Sequence, residues 1–106
     1  MKILTLNINS IRAHIESFME ISRKNEYDTI LIQELKVETA NFPYNLLDEY
    51  GYNIKVFGQK SWNGVATFSK SSIEDTILGM PSSPDTNARF LECVVDGRVR
   101  VINVYM

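Results

Sequence analysis

Three consecutive stretches near the N-terminus leave little choice of architecture. Residues 2–8, KILTLNI, alternate loosely and carry Ile, Leu and Thr, as a β-strand does. In the following IRAHIESFMEISRKN, residues 11–25, Ile11, Ile15, Phe18 and Met19 recur at helical spacing and form one apolar face. Ser10 stands where a helix N-cap is expected, and Arg23 and Lys24 fall in the last turn, where cations oppose the helix dipole. TILIQ, residues 29–33, is nearly all apolar, as strands are when both faces of a parallel pair are covered. Strand, helix and strand in this order imply a right-handed crossover between parallel strands.

Beyond residue 36 the character changes. KVETANFPYNLLDEYGYN holds Pro43 and Gly51 and reads as a long loop with one short helix near residues 46–50, Gly51 serving as its C-cap. NIKVF, GVATFSK, ARFLECVV and RVRVINVY are short strands, the last two joined by Asp96-Gly97 as a two-residue hairpin. The expected class is α/β (α+β), with one mixed sheet and a helix on one face.

With 106 residues, one domain spanning 1–106 is the ceiling. No apolar run approaches the roughly 18 residues that cross a bilayer, and no signal peptide opens the chain, so a cytoplasmic protein without membrane contact is expected. The single cysteine, Cys93, lies inside FLECVV and reads as a small buried hydrophobe. A net charge of -2 argues against binding nucleic acid by general attraction; a phosphate ligand would need a local basic pocket or a metal.

Glu34 ends the second strand, on the rim where α/β sheets gather ligands, and Asn7 and Asn9 end the first strand beside it. A carboxylate flanked by amide oxygens suits Mg²⁺, although a solvated strand end with turn-forming Asn residues fits the same spacing. GQKSWNG, residues 58–64, offers Lys60 and Trp62 on a loop, where Trp62 either stacks on a base or folds onto the core. Arg89 can pair with a phosphate or with Glu92, and Tyr105 packs in an apolar strand with its hydroxyl at the rim. His14, the only histidine, falls mid-helix and faces solvent, with no second His and no nucleophile motif around it.

Taken together, N-I-N-S-I-R-A at 7–13, D-T-I-L-I-Q-E-L-K at 28–36, F-P at 42–43, G-Q-K at 58–60, N-G-V-A at 63–66, Arg89 and N-V-Y at 103–105 form an ordered set. This set resembles the N-terminal part of exonuclease III, an apurinic/apyrimidinic endonuclease of the endonuclease/exonuclease/phosphatase superfamily. The resemblance implies the N-terminal half of a four-layer α/β sandwich of the deoxyribonuclease-I-like type, and metal-dependent hydrolysis of DNA phosphodiesters in base-excision repair. It implies Mg²⁺, with Mn²⁺ as a substitute, held by Glu34 and Asn7. Tyr105 would be the catalytic contact to the scissile phosphate, and Asn9, Lys60, Trp62 and Arg89 would bind phosphate and DNA. The implied partner is double-stranded DNA with abasic sites or 3′ ends.

Leu35 departs from the family's Thr after the metal-binding Glu, and Tyr27 stands where Pro often precedes Asp28. The family's Asp-x-Asn and Asp-His pairs have no counterpart here, so the chain is expected to be a truncated fragment, inactive alone. It would meet a separately encoded C-terminal half. With one sheet, several hundred Å² of apolar sheet surface would face water, about 10 kcal/mol of missing stabilisation at roughly 25 cal/mol per Å². Two rival readings stand beside this one: a phosphatase of the same superfamily, and a non-catalytic α/β interaction module.

Overall fold

Strands β1 (Ile3–Asn7) and β2 (Thr29–Gln33) run parallel, Ile3 opposite Thr29 and Asn7 opposite Gln33, with helix α1 (Ile15–Asn25) crossing between them. This is a computed structural model, describing residues 1–47 and 50–106. The helix starts later than its periodicity predicts. Residues 11–14 form a turn whose Ala13 N–H donates to Ser10 Oγ at 3.2 Å, so Ser10 caps the turn and His14 sits at the helix start rather than mid-helix. Ile11 and Phe18 are buried and Ile15 and Met19 half-buried, so the apolar stripe runs through both turn and helix.

The sheet is completed by β3 (Asn53–Phe57) and β4 (Val65–Ser69), in the order β1-β2-β4-β3, with β4 antiparallel to both neighbours. A 3-10 turn (Thr39–Asn41) and a short helix α2 (Tyr44–Leu47) precede β3. The helix begins directly after Pro43, earlier than the expected 46–50, and residues 48 and 49 lie outside the described residues. Phe68 of β4 centres the core on this face, its ring 5.2 Å from that of Phe18, 6.3 Å from Phe42 and 6.0 Å from Tyr52.

The α/β class holds, but the expected single sheet is two. Strands β5 (Ile73–Leu78), β6 (Phe90–Val95) and β7 (Val99–Val104) form a separate antiparallel sheet in the order β5-β6-β7. Strand β5 escapes the sequence reading because Glu74 and Asp75 break its apolar alternation. Its ladder slips between Glu74 and Ile77, and Asp75 takes a φ of 51°. The β6–β7 turn is also longer than expected. Asp96 and Gly97 have φ of 57° and 62° and Arg98 N–H donates to Val95 O, yet pairing resumes only at Val95 opposite Val99.

The second sheet packs on the face of the first that lies away from α1. Val65, Leu91, Cys93, Val95 and Val101 are buried together there, with Leu31 and Phe57 packed against them. This overturns the expected loss of stabilisation: the face thought bare is covered. What remains exposed is the other side of the second sheet, where Ile77, Ile102 and Val104 are 39%, 52% and 39% accessible.

Candidate active site

Hydrogen bonding continues past the strand ends and gathers several segments on one rim. Ser10 N–H donates to Glu34 O at 2.8 Å and Ile11 N–H to Leu35 O at 3.1 Å, extending the parallel pair. Leu35 N–H then reaches Gly64 O, Lys36 N–H reaches Asn63 O, and Gly64 N–H reaches Ala88 O, at 3.1, 2.9 and 2.8 Å. Tyr105 N–H closes the series on Arg89 O at 2.8 Å. The rim therefore carries the ends of β1, β2 and β7 and the starts of β4 and β6.

The backbone is unusual at the residues that matter. Asn9, Glu34 and Lys36 hold φ of 46°, 57° and 56°, in the left-handed region that non-glycine residues seldom occupy. Leu35 between the two charged residues is fully buried and acts as their anchor. It lies against Gly64, where an added Cβ would come within 2.8 Å of Leu35 Cβ at a φ of +96°.

The side chains form a short relay. Asn7 Nδ2 donates to Glu34 Oε1 at 2.9 Å, while Asn7 Oδ1 accepts the Asn9 N–H at 3.0 Å and so fixes which way the amide faces. Lys36 Nζ donates to Asn9 Oδ1 at 2.7 Å and lies 3.7 Å from Glu34 Oε2. The Asn7 amide, then the Tyr105 hydroxyl, hold the Glu34 carboxyl below the usual carboxylate range against a small opposing effect of burial, and Lys36 adds to the lowering. The same bond to Glu34, helped by burial, pushes the Tyr105 hydroxyl above its ordinary value, with Arg89 opposing. Tyr105 lies one residue past β7 rather than inside a strand, half-buried at the rim as the alternation predicts.

Arg89 does not pair with Glu92, which binds Arg100 at 2.8 Å instead. Its Nε is buried without a hydrogen-bond partner, and Arg89 shares a small cavity of about 150 Å³ with Asn87 and Tyr105. Lys60 lines a second cavity of about 270 Å³ together with Arg12, Lys36 and Ser61, where three cations outweigh the carboxylate of Glu38 on an otherwise acidic chain. Trp62 does not fold onto the core: it is 70% exposed on the 58–64 loop, and no hydrogen bond ties its side chain to the Glu34 cluster. His14 donates or accepts through Nδ1 at the carbonyls of Asn9 and Ser10, 3.1 and 3.3 Å away, and stays exposed. Lys36 and Arg12 escaped the sequence reading although both lie within the quoted motifs, because a lysine or arginine on a loop is ordinarily solvated.

The endonuclease/exonuclease/phosphatase family model matches residues 4–106. The chain belongs to this family. It is 33% identical over 109 residues to exodeoxyribonuclease III of Haemophilus influenzae, covering 99% of this chain and 41% of that protein. A 3′-5′ exonuclease from Neisseria meningitidis superposes with a TM-score of 0.94 at 39% identity, over 99% of this chain and 41% of its own. An AP endonuclease from Archaeoglobus fulgidus gives 0.94 at 35%, over 99% and 40%. This chain thus spans about 41% of the length of the relatives it matches.

Among the described residues no group of three or more His, Cys, Asp or Glu gathers as a closed site would need. The ionised Glu34 carboxylate is a single hard oxygen ligand of the kind that a divalent ion retaining most of its waters accepts, while the amide oxygens of Asn7 and Asn9 are taken by the Asn9 N–H and Lys36 Nζ.

Proposed function

We infer that this chain carries the metal and phosphate side of a nuclease site that hydrolyses DNA phosphodiesters. The observation behind this is the Glu34 carboxylate, held ionised on the rim by Asn7, Tyr105 and Lys36. Glu34, with Asn7 beside it, would hold Mg²⁺ or Mn²⁺, and the ion would supply charge stabilisation at the phosphate and the leaving oxygen. Tyr105 is the catalytic residue of this half: its hydroxyl, raised above its ordinary value by Glu34 and so kept protonated, donates to a non-bridging phosphate oxygen when DNA is bound. Arg89 offers a guanidinium with an unused Nε beside Tyr105. Asn9, with Lys36 on its oxygen, and Lys60 in the basic cavity with Arg12 bind flanking phosphates, while exposed Trp62 stacks on a base or sugar.

The substrate is double-stranded DNA with abasic sites or 3′ ends. One similar structure from Neisseria is described as a 3′ phosphatase bound to a product DNA hairpin, which favours DNA 3′ ends over lipid head groups. Among the described residues no group of three or more His, Cys, Asp or Glu gathers at Glu34, and the one histidine, His14, is engaged with backbone carbonyls. The base is therefore supplied from outside these residues, by a C-terminal half encoded with them or separately, and the 106 residues alone hydrolyse DNA negligibly. The free buried thiol of Cys93 suits the reducing cytoplasm in which this DNA partner would be met.

Calorimetric titration with Mg²⁺ tests the reading. The wild-type chain binds the ion and Glu34→Ala does not; equal binding by both would favour the rival view of a non-catalytic module.

A further inference from the structure

Asn103 lies 1% exposed on β7, two residues before Tyr105, and every polar valence of its amide that matters is used. Its Nδ2 donates to Ile32 O at 3.2 Å and to Ala66 O at 2.9 Å, on β2 and β4 of the opposite sheet. Its Oδ1 accepts from Gln33 Nε2 at 2.9 Å, and Gln33 also reaches Thr5 Oγ1 at 3.1 Å and Leu31 O at 3.2 Å. Between the facing strands the remaining contact is apolar, made by Val65, Leu91, Val101 and their neighbours. The loops before β4 and β6 are joined by Gly64 N–H to Ala88 O and Ala88 N–H to Gln59 Oε1. Apolar contact is non-directional and tolerates sliding, whereas hydrogen bonds of fixed length and angle do not.

The geometry points to Asn103 as a positioning residue: by pinning β7 to β2 and β4 it places Tyr105, two residues further on, beside the Glu34 end of β2. One side chain holds both partners, because Ile32 and Gln33 immediately precede Glu34 while Asn103 itself leads into Tyr105. The ladder with β6 sets the register of β7 within its own sheet, so what Asn103 fixes is the position of that sheet over β2 and β4. A slide of the second sheet by one residue, roughly 3.3 Å, would carry Tyr105 away from the Glu34 end of β2. This rests on the proposed function only for what Tyr105 does to a phosphate; the placement itself requires neither metal nor DNA.

The test is a nuclear Overhauser contact between the Tyr105 ring and the Glu34 side chain, measured in the metal-free full chain. Val101→Ala, a packing change in the same strand, serves as the control for lost stability alone. Asn103→Leu is expected to lose the contact while Val101→Ala keeps it. A folded Asn103→Leu that retains the contact at wild-type intensity overturns the assignment, as does equal loss in Val101→Ala. Gln33→Met, which removes the donor to Asn103 and leaves the strand ladders intact, decides the matter in the same way should Asn103→Leu fail to fold. Absence of Mg²⁺ binding by the wild-type chain would overturn the proposed function and leave this result standing.

Discussion

At the scale of single residues, the charge state of Glu34 is set by identifiable neighbours, so it can be taken apart. The Asn7 amide makes the largest single contribution to the lowering and the Tyr105 hydroxyl the next, while Lys36 lowers it both by its charge and by a hydrogen bond. Carboxyl ¹³C titrations should therefore show Glu34 moving upward in Asn7→Leu, Tyr105→Phe and Lys36→Met alike, and further in Asn7→Leu than in Tyr105→Phe. The order is the prediction, and a reversal would mean the rim is arranged differently in solution. The same couplings give a pH dependence of stability. Because the folded carboxyl ionises below its ordinary value, its contribution is complete above that ordinary value and disappears as pH falls through the lowered one. Tyr105, raised in the fold, contributes fully below the ordinary tyrosine value and loses its contribution as pH rises through the raised one. Urea midpoints measured against pH should thus fall less on the acid side in Glu34→Gln than in the wild type, and less on the alkaline side in Tyr105→Phe.

Among elements, the join between β2 and β4 shapes the rim. Gly64→Ala meets both a φ of +96° and a 2.8 Å approach to Leu35 Cβ, whereas Gly79→Ala at +88° meets open space. Denaturation should show a loss of about 1 kcal/mol at Gly79 and clearly more, about 2–4 kcal/mol, at Gly64. Thr67 in the middle of β4 is fully buried with its hydroxyl unpartnered, so Thr67→Val should hold or raise stability by about 1 kcal/mol. The parallel pair and its crossover were legible in the sequence because Ile30 and Ile32 and the Ile11 to Met19 stripe follow the two simplest periodicities. Strand β5 was not, since Glu74 and Asp75 oppose a strand and only pairing with β6 overrides them. The split into two sheets was hidden for a different reason: alternation marks which residues face inward but not which strands pair. Glu34, Asn7 and Tyr105 stood out through motif order, while the role of Asn103 depends on cross-sheet bonds between positions some seventy residues apart, which no local pattern encodes.

On the scale of the whole molecule, a helical layer and two packed sheets place the rim that carries Glu34 at one end. No helix among the described residues is long and apolar enough to cross a membrane. With a net charge of -2, attraction for a phosphate backbone must come from the cavity of Arg12, Lys36 and Lys60 and from a bound cation, not from the overall field. Everything proposed about activity therefore depends on a divalent ion sitting at the Glu34 end of β2. Anomalous diffraction at the manganese edge, from crystals of this chain grown with Mn²⁺, locates such an ion directly. The expected map has a peak within coordinating distance of the Glu34 carboxylate and beside Asn7. A well-ordered Glu34 with no manganese near it at saturating Mn²⁺ would contradict the proposed chemistry.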